Sequence, residues 1–156
     1  MTKSLFISYD GLTDPLGQSQ VIPYLIGLAN NGYEMHVLSC EKREEYDKRN
    51  HVISALLKEG NVQWHPIFYH RSPPVISTIY DIYKLRKKTL KLHKRHSFNI
   101  LHCRSYIAAL IGLEMKKKLN TKFIFDMRGF WADERVDGEL WNLSNPIFKS
   151  IYNYFK

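Results

Sequence analysis

Cysteine is scarce in this chain: among 156 residues there are only Cys40 and Cys103, far apart, each closing an apolar run. That pattern excludes a disulfide scaffold and a thiolate zinc site, and it fits buried free thiols in a reducing compartment. Long apolar runs are also missing. No stretch approaches the roughly 20 residues that a membrane-spanning helix needs. The opening segment, Met1 to Tyr9, runs out of apolar residues too soon for a signal peptide and reads as a first strand, so a cytoplasmic location is expected. Acidic residues are absent where they would matter most. Seven basic residues (Lys84, Arg86, Lys87, Lys88, Lys91, Lys94, Arg95) lie before His96 with no acid among them, and outside this segment 16 basic residues face 15 acidic ones. The net charge of +8 is therefore one patch rather than a general property.

What is present is an alternation of short apolar runs with longer helical ones. Strands are expected at Leu5–Tyr9, Glu34–Ser39, Val62–Phe68, Ile100–Cys103 and Lys122–Asp126. Helices are expected at Gln20–Asn30, Arg43–Lys58, about Val75–Lys94 and Tyr106–Leu119, with a last one from Pro146 capped by Asn145. The apolar side of the second helix should carry Val52, Ile53, Leu56 and Leu57. Pro73-Pro74 breaks the chain before the third helix. Five strands alternating with helices imply βαβ units: a Rossmann-like, open, mostly parallel α/β sheet with helices on both faces, in one domain over 1–156. Ligands of such sheets bind beyond the carboxyl ends of the strands. A phosphoacceptor receiver domain is excluded, because its third strand would end in aspartate, where this chain has Phe68-Tyr69-His70.

Four features follow from that geometry. The loop Asp10 to Gln20 has neither a dinucleotide fingerprint nor a P-loop. Gly17 stands before a helix start, where free N–H groups favour an anion; equally, the segment reads as a Gly-Pro turn with Ser19 as cap. In Leu101 to Tyr106, Arg104 is placed to enter the cleft and bind an anionic or sugar acceptor, or to pair with a rim carboxylate. Ser105 can cap the helix, and His102 reads as a core histidine. In Phe125 to Arg135, carboxylates and arginines (Asp126, Arg128, Glu134, Arg135) surround Gly129, Phe130 and Trp131, a composition suited to sugar hydroxyls and pyranose faces. Asp126, at a strand end, is where a general base would be held rigidly; the alternative is a surface loop with aromatics packed inward and charges paired internally. Lastly, Lys84, Lys87, Lys88, Lys91, Lys94 and Arg95 form a stripe on a helix whose Ile82, Leu85, Thr89 and Leu92 face the core. With Ile67, Phe68, Tyr69, Val75, Ile76, Ile79 and Tyr80 upstream, this suggests docking on anionic lipid, each basic residue contributing about 1 kcal/mol near the surface. The other reading is a solvated face. No nucleic-acid motif accompanies the stripe, no metal-ligand cluster is read, and neither partner is expected.

Two segments carry a family resemblance: Asp10-Gly-Leu-Thr-Asp-Pro-Leu-Gly-Gln-Ser-Gln-Val-Ile-Pro-Tyr-Leu, and Phe125-Asp-Met-Arg-Gly-Phe-Trp-Ala-Asp-Glu-Arg-Val-Asp-Gly-Glu-Leu-Trp. With Leu101 to Ser105 between them, the chain resembles the N-terminal, acceptor-side domain of family 4 glycosyltransferases, two-domain GT-B enzymes of the group that makes bacterial surface polysaccharides. The resemblance implies retaining transfer of a sugar from a nucleotide-diphosphate sugar to a glycan or lipid-linked acceptor; a cytoplasmic protein docked on lipid through the basic stripe would work at the inner face of the cytoplasmic membrane. It assigns the approach to the donor diphosphate to Gly17 with Gln18, and cleft-lining roles to Asp126, Arg128 and Glu134. Asp126 is then the base, or it orients the acceptor while the leaving diphosphate takes the proton. Nothing here corresponds to the family's second domain, which holds most of the nucleotide-sugar site. The chain is therefore expected to be an excised domain, a truncation or half of a split enzyme. On its own it is expected to be inactive and to bind no cofactor, with Gly17, Arg104, Arg128 and Arg135 facing the missing partner. The alternative is a non-catalytic glycan-binding or membrane-docking module.

Overall fold

The computed structural model describes residues 1–73 and 75–156; Pro74, half of the expected break, lies outside them. Five strands form one sheet: β1 (Lys3–Ser8), β2 (Glu34–Glu41), β3 (Val62–Phe68), β4 (Ile100–Arg104) and β5 (Lys122–Asp126). The strand order is β3-β2-β1-β4-β5 and every neighbouring pair is parallel. The chain winds outward from β1 through β2 to β3, then returns to place β4 on the other side of β1. That reversal opens a crevice at the carboxyl ends of β1 and β4.

Helices α1 (Ile22–Asn30) and α2 (Arg43–Glu59) cover one face, and α3 (Ile76–His96) and α4 (Ser105–Leu119) the other. The core is accordingly double. Phe6, Val37, Leu25, Ile53 and Leu57 pack on the α1/α2 side, and Leu5, Ile7, Leu85, Leu101 and Ile111 on the α3/α4 side. Each such side chain contributes about 2 kcal/mol by leaving water. Parallel strands buried on both faces read as continuous apolar runs, which is why β1 and β2 are buried along nearly their whole length.

Several expectations are corrected. Val52 and Leu56 are exposed, so α2 buries a narrower stripe of Ile53 and Leu57. The first helix begins earlier, in a π-helical turn over Gly17–Val21, where the Ile22 amide donates to the Gly17 carbonyl. Pro23 has no N–H to donate to Ser19, so the turn before it widens. Ser19 lies inside this turn and caps nothing, its hydroxyl donating to the Pro15 carbonyl. Ser105 is not a cap either. It is the first residue of α4, at φ 65°, and Arg104 occupies the cap position. The segment after β5 is not a loop throughout, because Trp131–Asp137 forms a helix, α5. The final helix, α6 (Pro146–Phe155), is capped as expected, the Asn145 side chain accepting from the Ile147 amide. Among the described residues, no helix is long and apolar enough to cross a membrane.

Candidate functional site

The end of β5 carries Asp126 into the crevice, and β4 delivers His102 and Arg104, which point to the same face because strand side chains alternate. His102 Nε2 lies 3.6 Å from one Asp126 carboxylate oxygen, and Arg104 Nη1 lies 4.0 Å from the same oxygen. Arg128 Nη1 lies 4.0 Å from the other. From the π-helical turn, Gln20 supplies the bridging group: its Oε1 accepts from Arg104 Nη2 at 3.2 Å and from Arg128 Nη2 at 2.7 Å. Tyr24, one turn further, sets its hydroxyl 3.4 Å from His102 Nδ1. With Phe6, Val21, Ile124 and Met127 these residues line a cleft of about 430 Å³.

The electrostatics are unbalanced. Two guanidinium groups share one carboxylate and one neutral amide oxygen, so the cleft is net cationic. Burial holds Arg104 below its ordinary value, and the neighbouring Arg128 adds to this. Burial also lowers His102, against the opposing pull of Asp126, so the imidazole is neutral near pH 7. Its Nε2 is buried and has no hydrogen-bond partner among the described residues. A neutral imidazole nitrogen facing a cleft, beside a carboxylate, can accept a proton or a hydrogen bond from a bound hydroxyl.

The other expected site residues fall elsewhere. Gly17 is buried against its own loop, where a Cβ would collide with the Gly11 carbonyl and the Leu12 backbone. Gln18 donates to the Thr13 carbonyl at 2.9 Å. Gly129 holds φ 150°, and a Cβ there would strike the Glu134 carboxylate, so Gly129 and Glu134 form a unit at the start of α5. Arg135 stacks over Trp131 and lines a second cavity, of about 500 Å³, between α3, α4, α5 and α6. That cavity is mainly apolar, with Tyr9, Tyr69, Ile82, Ile107 and Trp141 in its wall together with Arg71 and Arg135. Neither Glu134 nor Arg135 lines the Asp126 cleft. Of the four residues expected on an exposed partner face, Gly17 and Arg104 are buried.

No protein-family model and no curated protein sequence matches this chain. Solved structures do. The C-terminal domain of a hydrogenase from Pyrococcus furiosus superposes with TM-score 0.60 at 13% identity, over 81% of this chain and 91% of that one. A glycosyltransferase from Rickettsia africae and MurG from Acinetobacter baumannii each give TM-score 0.53, at 13% and 14% identity. Each is matched over 80% of this chain, which spans 29% of the first and 35% of the second. The fold is Rossmann-like and GT-B-like. A fold shared by a hydrogenase domain and two glycosyltransferases does not choose the chemistry, so the site must.

Sequence reasoning missed four residues here. His102 looked like core because it sits within an apolar strand, although its spacing of two from Arg104 put both on one face. Gln20 and Tyr24, four apart, share a helix face for the same kind of reason. Glu41 was hidden at the end of β2. It is fully buried and accepts from the Leu12 amide at 2.8 Å, the Thr13 amide at 3.1 Å and the Thr13 and Ser39 hydroxyls. It holds the first loop in shape from beneath, so the π-helical turn presents Gln20 to the cleft.

Proposed function

We propose that this domain forms the acceptor side of a retaining, family 4-type GT-B glycosyltransferase and works with a nucleotide-sugar domain carried elsewhere. The observation that supports this best is the convergence of Asp126, His102, Arg104 and Arg128 at the strand switch point, around a cleft of about 430 Å³. In this reading the cleft takes the acceptor. Asp126 orients the attacking hydroxyl, with neutral His102 as the nearby proton acceptor, or else the leaving diphosphate takes the proton. Arg104 and Arg128 face the negative charge that collects between acceptor and donor. The first loop, packed through Gly17, approaches the donor diphosphate with its backbone, while Glu134 steadies the turn at Gly129 and Arg135 acts in the second, apolar cavity, which suits the lipid part of a lipid-linked acceptor.

The edge of the sheet supports a further covering body. Parallel strands are normally covered on both faces, yet β5 leaves Ile124 and Phe125 exposed beside the cleft. A facing domain would close that side and exclude water from the reacting groups.

Helix α3 supports the membrane part of the reading. Ile76, Ile79, Tyr80 and Tyr83 are exposed on its first half, and Lys87, Lys91, Lys94 and Arg95 on its second. Arg86 leaves the patch by pairing with Glu114 at 2.6 Å. Ile67, in contrast, belongs to the core. An apolar segment followed by a basic one on one helix suits a surface where acyl chains meet anionic headgroups.

The deciding experiment is transfer from nucleotide-sugar donors by this chain alone and by the chain mixed with, or extended by, a nucleotide-sugar domain. Activity only in the completed form is the expected result. Glycan binding by this chain with no activity in any combination would leave the non-catalytic module instead.

A further inference from the structure

At the opposite end of the sheet from the cleft lies a cluster that the proposed activity does not use. Glu34 opens β2, His36 follows two residues later on the same face, and α3 ends at His96. One ligand atom from each of the three lies within 4.8 Å of the others. We propose that Glu34, His36 and His96 bind one first-row divalent transition-metal ion, of the kind that prefers imidazole, such as Zn²⁺.

His36 is the anchor. It is fully buried, with its ring stacked on His65 at 5.2 Å between centroids and 4.3 Å from the His96 ring. Its Nδ1 lies 3.0 Å from His65 Nε2, and its Nε2 lies 3.2 Å from Glu34 Oε1. This is the arrangement of a ligating histidine: one nitrogen directed at the ion, the other hydrogen-bonded to a second group that fixes ring and tautomer. Without an ion, His36 Nε2–H donates to Glu34, and Nδ1 accepts from His65. With an ion, Nε2 gives its lone pair to the metal and Nδ1–H donates to His65 Nε2. Each ring keeps one proton, so the exchange is balanced.

Bond lengths of about 2.0–2.2 Å would place tetrahedral ligand atoms about 3.4 Å apart; Glu34 Oε1, 3.2 Å from His36 Nε2, already stands at that spacing, so the partly exposed His96 must close by about 1 Å around the fixed pair. The donor set selects the ion. Two imidazoles and one carboxylate suit Zn²⁺, Ni²⁺ or Co²⁺, and not Mg²⁺ or Ca²⁺, which want oxygen ligands. Lys3, 3.4 Å from the other Glu34 oxygen, and Lys88 and Arg95 near His65 oppose a cation. They make the site weaker than a four-ligand structural zinc. Three protein ligands leave a fourth position to water, and the ion would tie the start of β2 to the end of α3.

The test is calorimetric titration of the metal-free chain with ZnCl₂, beside the visible absorption of added Co²⁺. One equivalent of Zn²⁺, a tetrahedral Co²⁺ spectrum and a raised melting temperature with Zn²⁺ are expected. His96→Ala and Glu34→Gln, both at partly exposed positions, should each weaken binding tenfold or more and abolish the Co²⁺ spectrum. Absence of Zn²⁺ binding, or unchanged affinity in His96→Ala, overturns the proposal. So does binding that survives there but disappears in His70→Ala, which would place the ion between His70 Nδ1 and the buried Asp81 carboxylate, 2.5 Å apart.

Discussion

Replacing Glu41 by glutamine keeps the side chain's shape and removes its charge, which makes it a sharp probe of what holds the first loop. Each Glu41 oxygen accepts from one backbone amide and one hydroxyl: Leu12 N–H and Ser39 on one side, Thr13 N–H and the Thr13 hydroxyl on the other. A glutamine amide has only one oxygen. Hydroxyls can rotate to accept from the new NH₂ group, but a backbone N–H cannot. Whichever way the amide is flipped, one buried N–H faces another donor. That costs about 1–3 kcal/mol, partly offset because a buried charge no longer has to be desolvated. Glu41→Ala leaves both amides unpaired and opens a cavity, for a cost of about 3–5 kcal/mol. At about 2–4 °C per kcal/mol for a chain of this size, the melting temperature should fall by about 5 °C for glutamine and about 10–15 °C for alanine. Thermal melts and urea midpoints at constant slope measure both. The reasoning fails if alanine costs less than about 1 kcal/mol, or if glutamine is the worse of the two.

Asp126→Ala and Arg128→Ala should each weaken glycan binding at least tenfold while moving the melting temperature little, since both side chains reach solvent; a large loss of stability would make them structural. Gln20→Ala should weaken ligand binding by freeing both guanidinium groups. Gln20→Glu should raise stability by pairing them and still weaken binding of an anionic ligand. Opposite signs for stability with the same sign for binding, read by melting and calorimetry, are the expected pair. Changing Lys87, Lys88 and Lys91 together to Glu should abolish binding to anionic vesicles at low salt, and unchanged sedimentation with vesicles would sink the docking surface. Burial pushes His65 down to about 4 and lowers His36, His93 and His102 as well. Their folded forms take up protons less readily than the unfolded chain, whose histidines titrate near about 6.5. Stability should therefore be intact above that value and decline as pH falls toward 4, and a flat urea midpoint across this window would contradict the burial argument.

The elements legible in the sequence are those whose signal is local. Val62–Phe68 and Lys122–Asp126 carry apolar residues bounded by turn-formers, and their limits match the expected strands residue for residue. The Asn145 cap with Pro146 behind it is equally local. What escaped depends on contacts distant in sequence. Trp131–Asp137 has no strong helical pattern, and Trp131 is set in place by Tyr106, Trp141 and Phe155, from three other segments. Val52 and Leu56 have the right spacing for a buried face, but the side chains that α2 buries in the core are Ile53 and Leu57. The site divides along the same line. Asp126 and Arg104 were legible because strand ends in a parallel sheet point at the crevice by topology. Gln20 and Glu41 were not, because their roles exist only once the first loop has folded over β2. The loop's shape is thus set by a carboxylate outside it, and Gln20, which joins the two arginines, is positioned by that shape. The conspicuous residues of the first loop, Gly17 and Gln18, act on the loop itself, while the cleft is reached by the less conspicuous glutamine two residues later.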